Sequence, residues 1–70
     1  MNDDIPNSKI EYLISEWIHN ARDRDILRRR FIDGIHFEPL AEEFGYSVVQ
    51  IKRIVYKASA ELFKHIDIDT

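Results

Sequence analysis

The sequence predicts an all-α fold, a four-helix domain built as a three-helix core preceded by an N-terminal helix. Three observations predict it. Apolar residues cluster at helical spacing in four successive stretches, and in three of them (Ile10 to Trp17, Phe37 to Phe44 and Ile51 to Ala58) they recur at i, i+3, i+4 and i+7, the spacing of a helix face rather than the alternation of a strand. Gly34 and Gly45, the only two glycines, stand where two of these stretches end, as residues that take a left-handed helix stop at little cost. Serine followed three positions later by a glutamate or glutamine opens two of the stretches, Ser8 with Glu11 and Ser47 with Gln50, the pattern of a capping box. The expected helices cover roughly 8–20, 22–33, 37–44 and 48–65.

Size and composition set bounds on this fold. Seventy residues make one small domain, which buries only about 60% of the surface of its unfolded chain. There is no cysteine, so neither a disulfide nor a thiolate zinc site staples the core, and packed helices must hold it. No apolar run approaches the roughly 20 residues of a membrane span, and the opening MNDDIPNS lacks the basic and apolar regions of a signal peptide. The expectation is a cytoplasmic protein with no membrane contact, its ends at 1–7 and 66–70 forming flexible tails.

The first helix starts at Asn7 or Ser8. Ile10, Leu13, Ile14, Trp17 and Ile18 form its apolar stripe, with Lys9, Glu11, Ser15, Glu16 and His19 on the other side. That stripe reads as core, with docking of a partner through Trp17 as the alternative. The pattern breaks around Asn20. In the second helix Asp23 and Asp25 come early and Arg28, Arg29 and Arg30 late, in keeping with the helix dipole. Ile26, Leu27 and Phe31 supply its buried face, with Ile32 or Ile35 at its end, and Gly34 stops it. The arginine run either pairs with Glu42 or Glu43 or places Arg28 and Arg30 on phosphate.

The third helix begins near His36 or Phe37, and Pro39 fits its first turn, where the missing N–H has no intrahelical partner. Phe37, Leu40, Ala41 and Phe44 share its apolar face. Gly45 ends it, Ser47 and Gln50 cap the next, and the fourth helix follows from Val48 with Ile51, Ile54, Val55, Ala58 and Leu62 as its core stripe. A short helix, a sharp turn and a longer helix in this order make a helix-turn-helix, whose second helix enters the DNA major groove. Val49, Tyr56 and Phe63 form a second apolar line, seven residues apart. Either Phe63 and Tyr56 pack against the first helix, or the line is the seam of a homodimer.

The run RDRDILRRRFIDGIHFEPLAEEFGYSVVQIKRIVYKASAELFK resembles the C-terminal helix-turn-helix, region four, of bacterial RNA polymerase sigma factors. The resemblance rests on Leu27-x-x-Arg30-Phe31, Gly34, Leu40-Ala41-Glu42, Gly45 with Ser47, and Ile51-Lys52 with the basic helix after it, and it covers about Arg22 to Lys64. Response-regulator DNA-binding domains are similar less closely. A sigma factor also needs an upstream helical domain, for which seventy residues leave no room. The resemblance therefore implies a free-standing sigma-like regulator of the phage or prophage type, with double-stranded DNA as partner and RNA polymerase as a second one. It places recognition at Val48, Val49, Lys52 and Arg53, with Gln50 and Lys57 nearer the backbone. The family favours polar residues where this chain has Val48 and Val49.

Chemistry orders these positions. Arg53, and after it Lys52, is the candidate for a guanine edge, and Val48 or Val49 for a thymine methyl. Lys57, His36, Arg28, Arg30 and Gln50 are the phosphate candidates, His36 through the N-terminus of the third helix. Tyr56, Phe63 and Trp17 are candidates for a dimer or partner surface. A net charge of −3 weighs against a nucleic-acid binder, yet Val48 to Ala60 holds Lys52, Arg53 and Lys57 and no acid. Two function classes stay open: a sequence-specific transcriptional regulator, and a protein-interaction module that binds polymerase or another regulator. Catalysis is not expected. His19, His36 and His65 are scattered, no metal-ligand spacing or phosphate-cradling glycine loop is present, and no cofactor is implied.

Overall fold

The structure is a computed structural model and describes residues 6–69, with side chains as far as His65. Every regular element among the described residues is helical: α1 (Asn7–Trp17), α2 (Ala21–Leu27, continued by a widened stretch at Arg28–Ile32), α3 (Phe37–Phe44) and α4 (Val48–Asp69). None of these helices is long and apolar enough to cross a membrane. Of the expected tails, residues 1–5 and Thr70 lie outside the described residues, whereas Asn7 is helical and α4 continues through 66–69.

Helix α1 departs from the sequence expectation at both ends. The Ser8–Glu11 capping box does not form. Pro6 is the N-cap in extended conformation, and its carbonyl accepts from the N–H groups of Lys9 and Ile10 at 3.0 and 3.1 Å. Glu11 instead accepts from Arg28 Nε at 2.7 Å. The helix stops at Trp17 rather than near 20 because Asn20 is taken by the next helix. Its side-chain oxygen accepts from the Asp23 N–H at 3.1 Å, and an N-cap residue must be extended rather than helical. Ile18 is extended too, yet buried at 6% exposure. It thus continues the apolar pattern past the end of the helix, which is why periodicity overshoots. Arg24 Nη1 closes the junction by donating to the carbonyls of Ile18 and His19, each at 3.1 Å. Replacing Asn20 by alanine is expected to cost about 1 kcal/mol, read as a fall of roughly 4–8 °C in thermal midpoint for a domain of this size. An unchanged midpoint would mean that the cap contributes nothing.

Helix α2 was expected to be α-helical to Asp33. It is α-helical only to Leu27, and the turn from Arg28 to Ile32 is widened, with the Asp33 N–H reaching back five residues to the Arg28 carbonyl at 3.1 Å. Ile35 N–H then takes the Arg29 carbonyl at 3.0 Å, and Gly34 lies between them at φ 73°. The three successive arginines fan out to different neighbours: Arg28 to α1, Arg29 to the end of α3, and Arg30 to the start of α3.

Helix α3 ends at Gly45, left-handed at φ 74°, where the Tyr46 N–H closes onto the Ala41 carbonyl at 2.9 Å as in a Schellman stop. The second capping box forms in full. Ser47 N–H donates to Gln50 Oε1 at 3.0 Å, and Gln50 N–H donates to Ser47 Oγ at 3.1 Å. From there α4 runs 22 residues, about 33 Å at 1.5 Å per residue, in a molecule whose longest dimension is 35 Å.

Leu13, Ile14, Ile18, Ile26, Leu27, Leu40, Ala41, Ile51, Val55, Ala58 and Leu62 form one core, and α4 packs against α1, α2 and α3. The aromatic rings of the second line on α4 meet rings on the second and third helices. Tyr56 sets its ring edge-on to Phe37 of α3 at 6.1 Å, and Phe63 does the same to Phe31 at 6.5 Å. A ring contact to α1 is made by His65, whose ring lies flat on Trp17 with centroids 3.6 Å apart.

Candidate nucleic-acid interface

The first turns of α4 divide the sequence candidates. Val48 is half-buried and packs against the core, so its side chain is spent on the fold. Val49 is 64% exposed. With Lys52, Arg53, Tyr56 and Lys57 it lines one shallow groove along α4, as residues three and four apart on a helix must. No carboxylate lines this groove. Lys52 Nζ is 5.6 Å from the centroid of the Phe37 ring, a cation over an aromatic quadrupole. Among the described residues Arg53 and Lys57 have no ion-pair or hydrogen-bond partner. Gln50 is held in the capping box at the head of the same helix.

The other arginines are engaged inside the molecule. Arg28 is bound to Glu11 at 2.7 Å and approaches Asp25 and Ser15 at 3.5 Å. Arg29 grips both oxygens of Glu43 and also reaches Asp33 at 2.9 Å, so the Glu43 carboxylate, and after it Asp33, raises the guanidinium pKa above its ordinary value. This is the pairing with Glu43 that the sequence suggested for the run. Arg30 stacks on Phe37 at 4.6 Å, leans toward the Ile35 carbonyl at 3.5 Å, and keeps its Nε buried with no acceptor. His36 is the exposed N-cap of α3; its carbonyl accepts from the Leu40 N–H at 3.0 Å and its imidazole makes no capping bond.

Two positions matter that sequence reasoning did not single out. Arg22 Nη1 donates to the Tyr46 hydroxyl at 3.0 Å and its guanidinium also holds Asp23. Tyr46, then Asp23, raises its pKa above the usual arginine value. Arg22 thereby ties the start of α2 to the turn between α3 and α4. A contact 24 residues apart leaves no periodic mark in a sequence. The sequence marks Phe37 only as an apolar helix-face residue. It is also the ring on which Arg30, Lys52 and Tyr56 converge. Trp17 and Phe63 lie on other contacts, with His65 and Phe31. Comparison with known proteins gives no match to this chain, whether against family models, curated proteins or solved structures.

Proposed function

We propose that α3 and α4 form a helix-turn-helix that binds double-stranded DNA with sequence preference and regulates transcription in the bacterial cytoplasm, the first turns of α4 lying in the major groove. One observation carries the reading: Val49, Lys52, Arg53, Tyr56 and Lys57 make a continuous exposed face with no acid on it, while Arg28 and Arg29 are matched by carboxylates elsewhere. A chain of net charge −3 thus keeps its uncommitted cations together on the helix that the Gly45 stop and the Ser47–Gln50 cap set off from α3. Arg53 is the guanine reader, Lys52 its neighbour, and Val49 the apolar base contact. Lys57 and His36 take phosphates. Arg28, Arg30 and Gln50 serve mainly to hold the fold. The residue order resembling sigma region four supports the same assignment and makes RNA polymerase the natural second partner.

The second reading is a protein-interaction module, favoured by the exposure of Tyr56 and Phe63 at 59% and 50% on the same helix. A homodimer through this line would call for a near-palindromic site. Selection of bound duplexes from a random pool, at low and at near-physiological salt, separates the classes. A DNA reader enriches a motif at both salts, with affinity falling steeply as salt rises. Absence of binding at either salt rejects it in favour of the protein-interaction reading.

A further inference from the structure

Resting on the reading of α4 as a recognition helix, we propose that Val49 and Arg53 together read a 5-methylpyrimidine followed by guanine. Thymine-guanine and 5-methylcytosine-guanine steps are then bound alike, and the same steps without the methyl group are disfavoured. Val48 has its side chain against the core, which leaves Val49, 64% exposed, as the apolar group at the head of the groove. Arg53 follows one turn later on the same face, without a partner among the described residues. Lys52, the neighbouring cation, is drawn to the Phe37 ring instead.

Four residues advance about 6 Å along a helix, but helical side chains lean toward the N-terminus. The long Arg53 side chain therefore comes back toward the level of Val49. A lean of this kind brings the reach of the two side chains closer together than the backbone rise, toward the one base step of about 3.4 Å that the reading requires. A guanidinium bonds guanine O6 and N7 together, and an isopropyl group gains by covering a pyrimidine C5 methyl. No carboxylate lines the groove to accept from a cytosine amine. Discrimination at the pyrimidine thus rests on the C5 substituent, which thymine and 5-methylcytosine share.

The experiment uses the whole chain and three random duplex pools: one amplified with dTTP, one with dUTP in its place, and one with dUTP together with 5-methyl-dCTP. Uracil differs from thymine only by the methyl group. The thymine pool should enrich a motif with thymine 5′ to a guanine. In the uracil pool preference for that pyrimidine should fall about fourfold, the value of one buried methyl-sized group, while the guanine persists. In the third pool the preference should move to 5-methylcytosine before the same guanine. Val49→Ala, at an exposed position, should keep the parent's circular dichroism and select the guanine equally from the thymine and uracil pools. An unchanged pyrimidine preference in uracil, or methyl dependence that survives Val49→Ala, overturns this proposal and leaves the DNA reading standing. Failure of every pool to enrich a motif overturns both.

Discussion

Replacing Ile51 by alanine is expected to remove most of the stability of the domain. Ile51 has no exposed surface, and truncating a fully buried isoleucine costs about 2–5 kcal/mol, the transfer of the lost atoms plus the cavity they leave. Domains have only about 0.05–0.15 kcal/mol of stability per residue, so a chain of seventy residues has little in reserve. Trp17 is the only tryptophan and stacks on His65 across the α1–α4 contact. Its fluorescence, followed in a urea titration beside far-ultraviolet circular dichroism, reports whether α1 leaves α4 as the helices melt. A loss below about 1 kcal/mol would show that the site collapses around the smaller side chain rather than keeping a cavity.

Arg53→Ala, two residues along the same helix, is expected to do the opposite. The side chain is exposed and unpartnered among the described residues, so the urea midpoint should stay where it is. Affinity for the selected DNA site should fall by about 1–3 kcal/mol, with relaxed preference at one base pair. Lys57→Ala is the control: it should weaken all sequences about equally and lower the salt slope by about 1. If Arg53→Ala also weakens every sequence alike, its guanidinium is on phosphate and base reading must come from elsewhere on α4.

The parts legible in the sequence were those with a local signature. Gly45, Ser47 and Gln50 act within a few residues of one another, and their left-handed stop and reciprocal cap were readable from residue type and spacing alone. The core stripe of α4 was readable for the same reason. What escaped were competitions between local signals and contacts between distant ones. Ser8 and Glu11 have the spacing of a cap, but Glu11 is claimed by Arg28 from another helix and Pro6 already starts the turn. Ile18 keeps helical periodicity after the helix has stopped, since burial and helicity are separate properties. The widened turn at Arg28–Ile32 has no residue-type marker, because nothing in three arginines, a phenylalanine and an isoleucine forbids an ordinary turn. In the candidate site the exposed cations of α4 were legible. That Val48 is spent on the core and that Phe37 gathers Arg30 and Lys52 is set by packing between helices.

The long α4 has a thermodynamic consequence. Because it packs against α1, α2 and α3, its departure would strip buried surface from all three at once. Val49 to Lys57 are therefore displayed on the element against which α1, α2 and α3 all pack. A ligand for that face would meet a helix already held in place by three others.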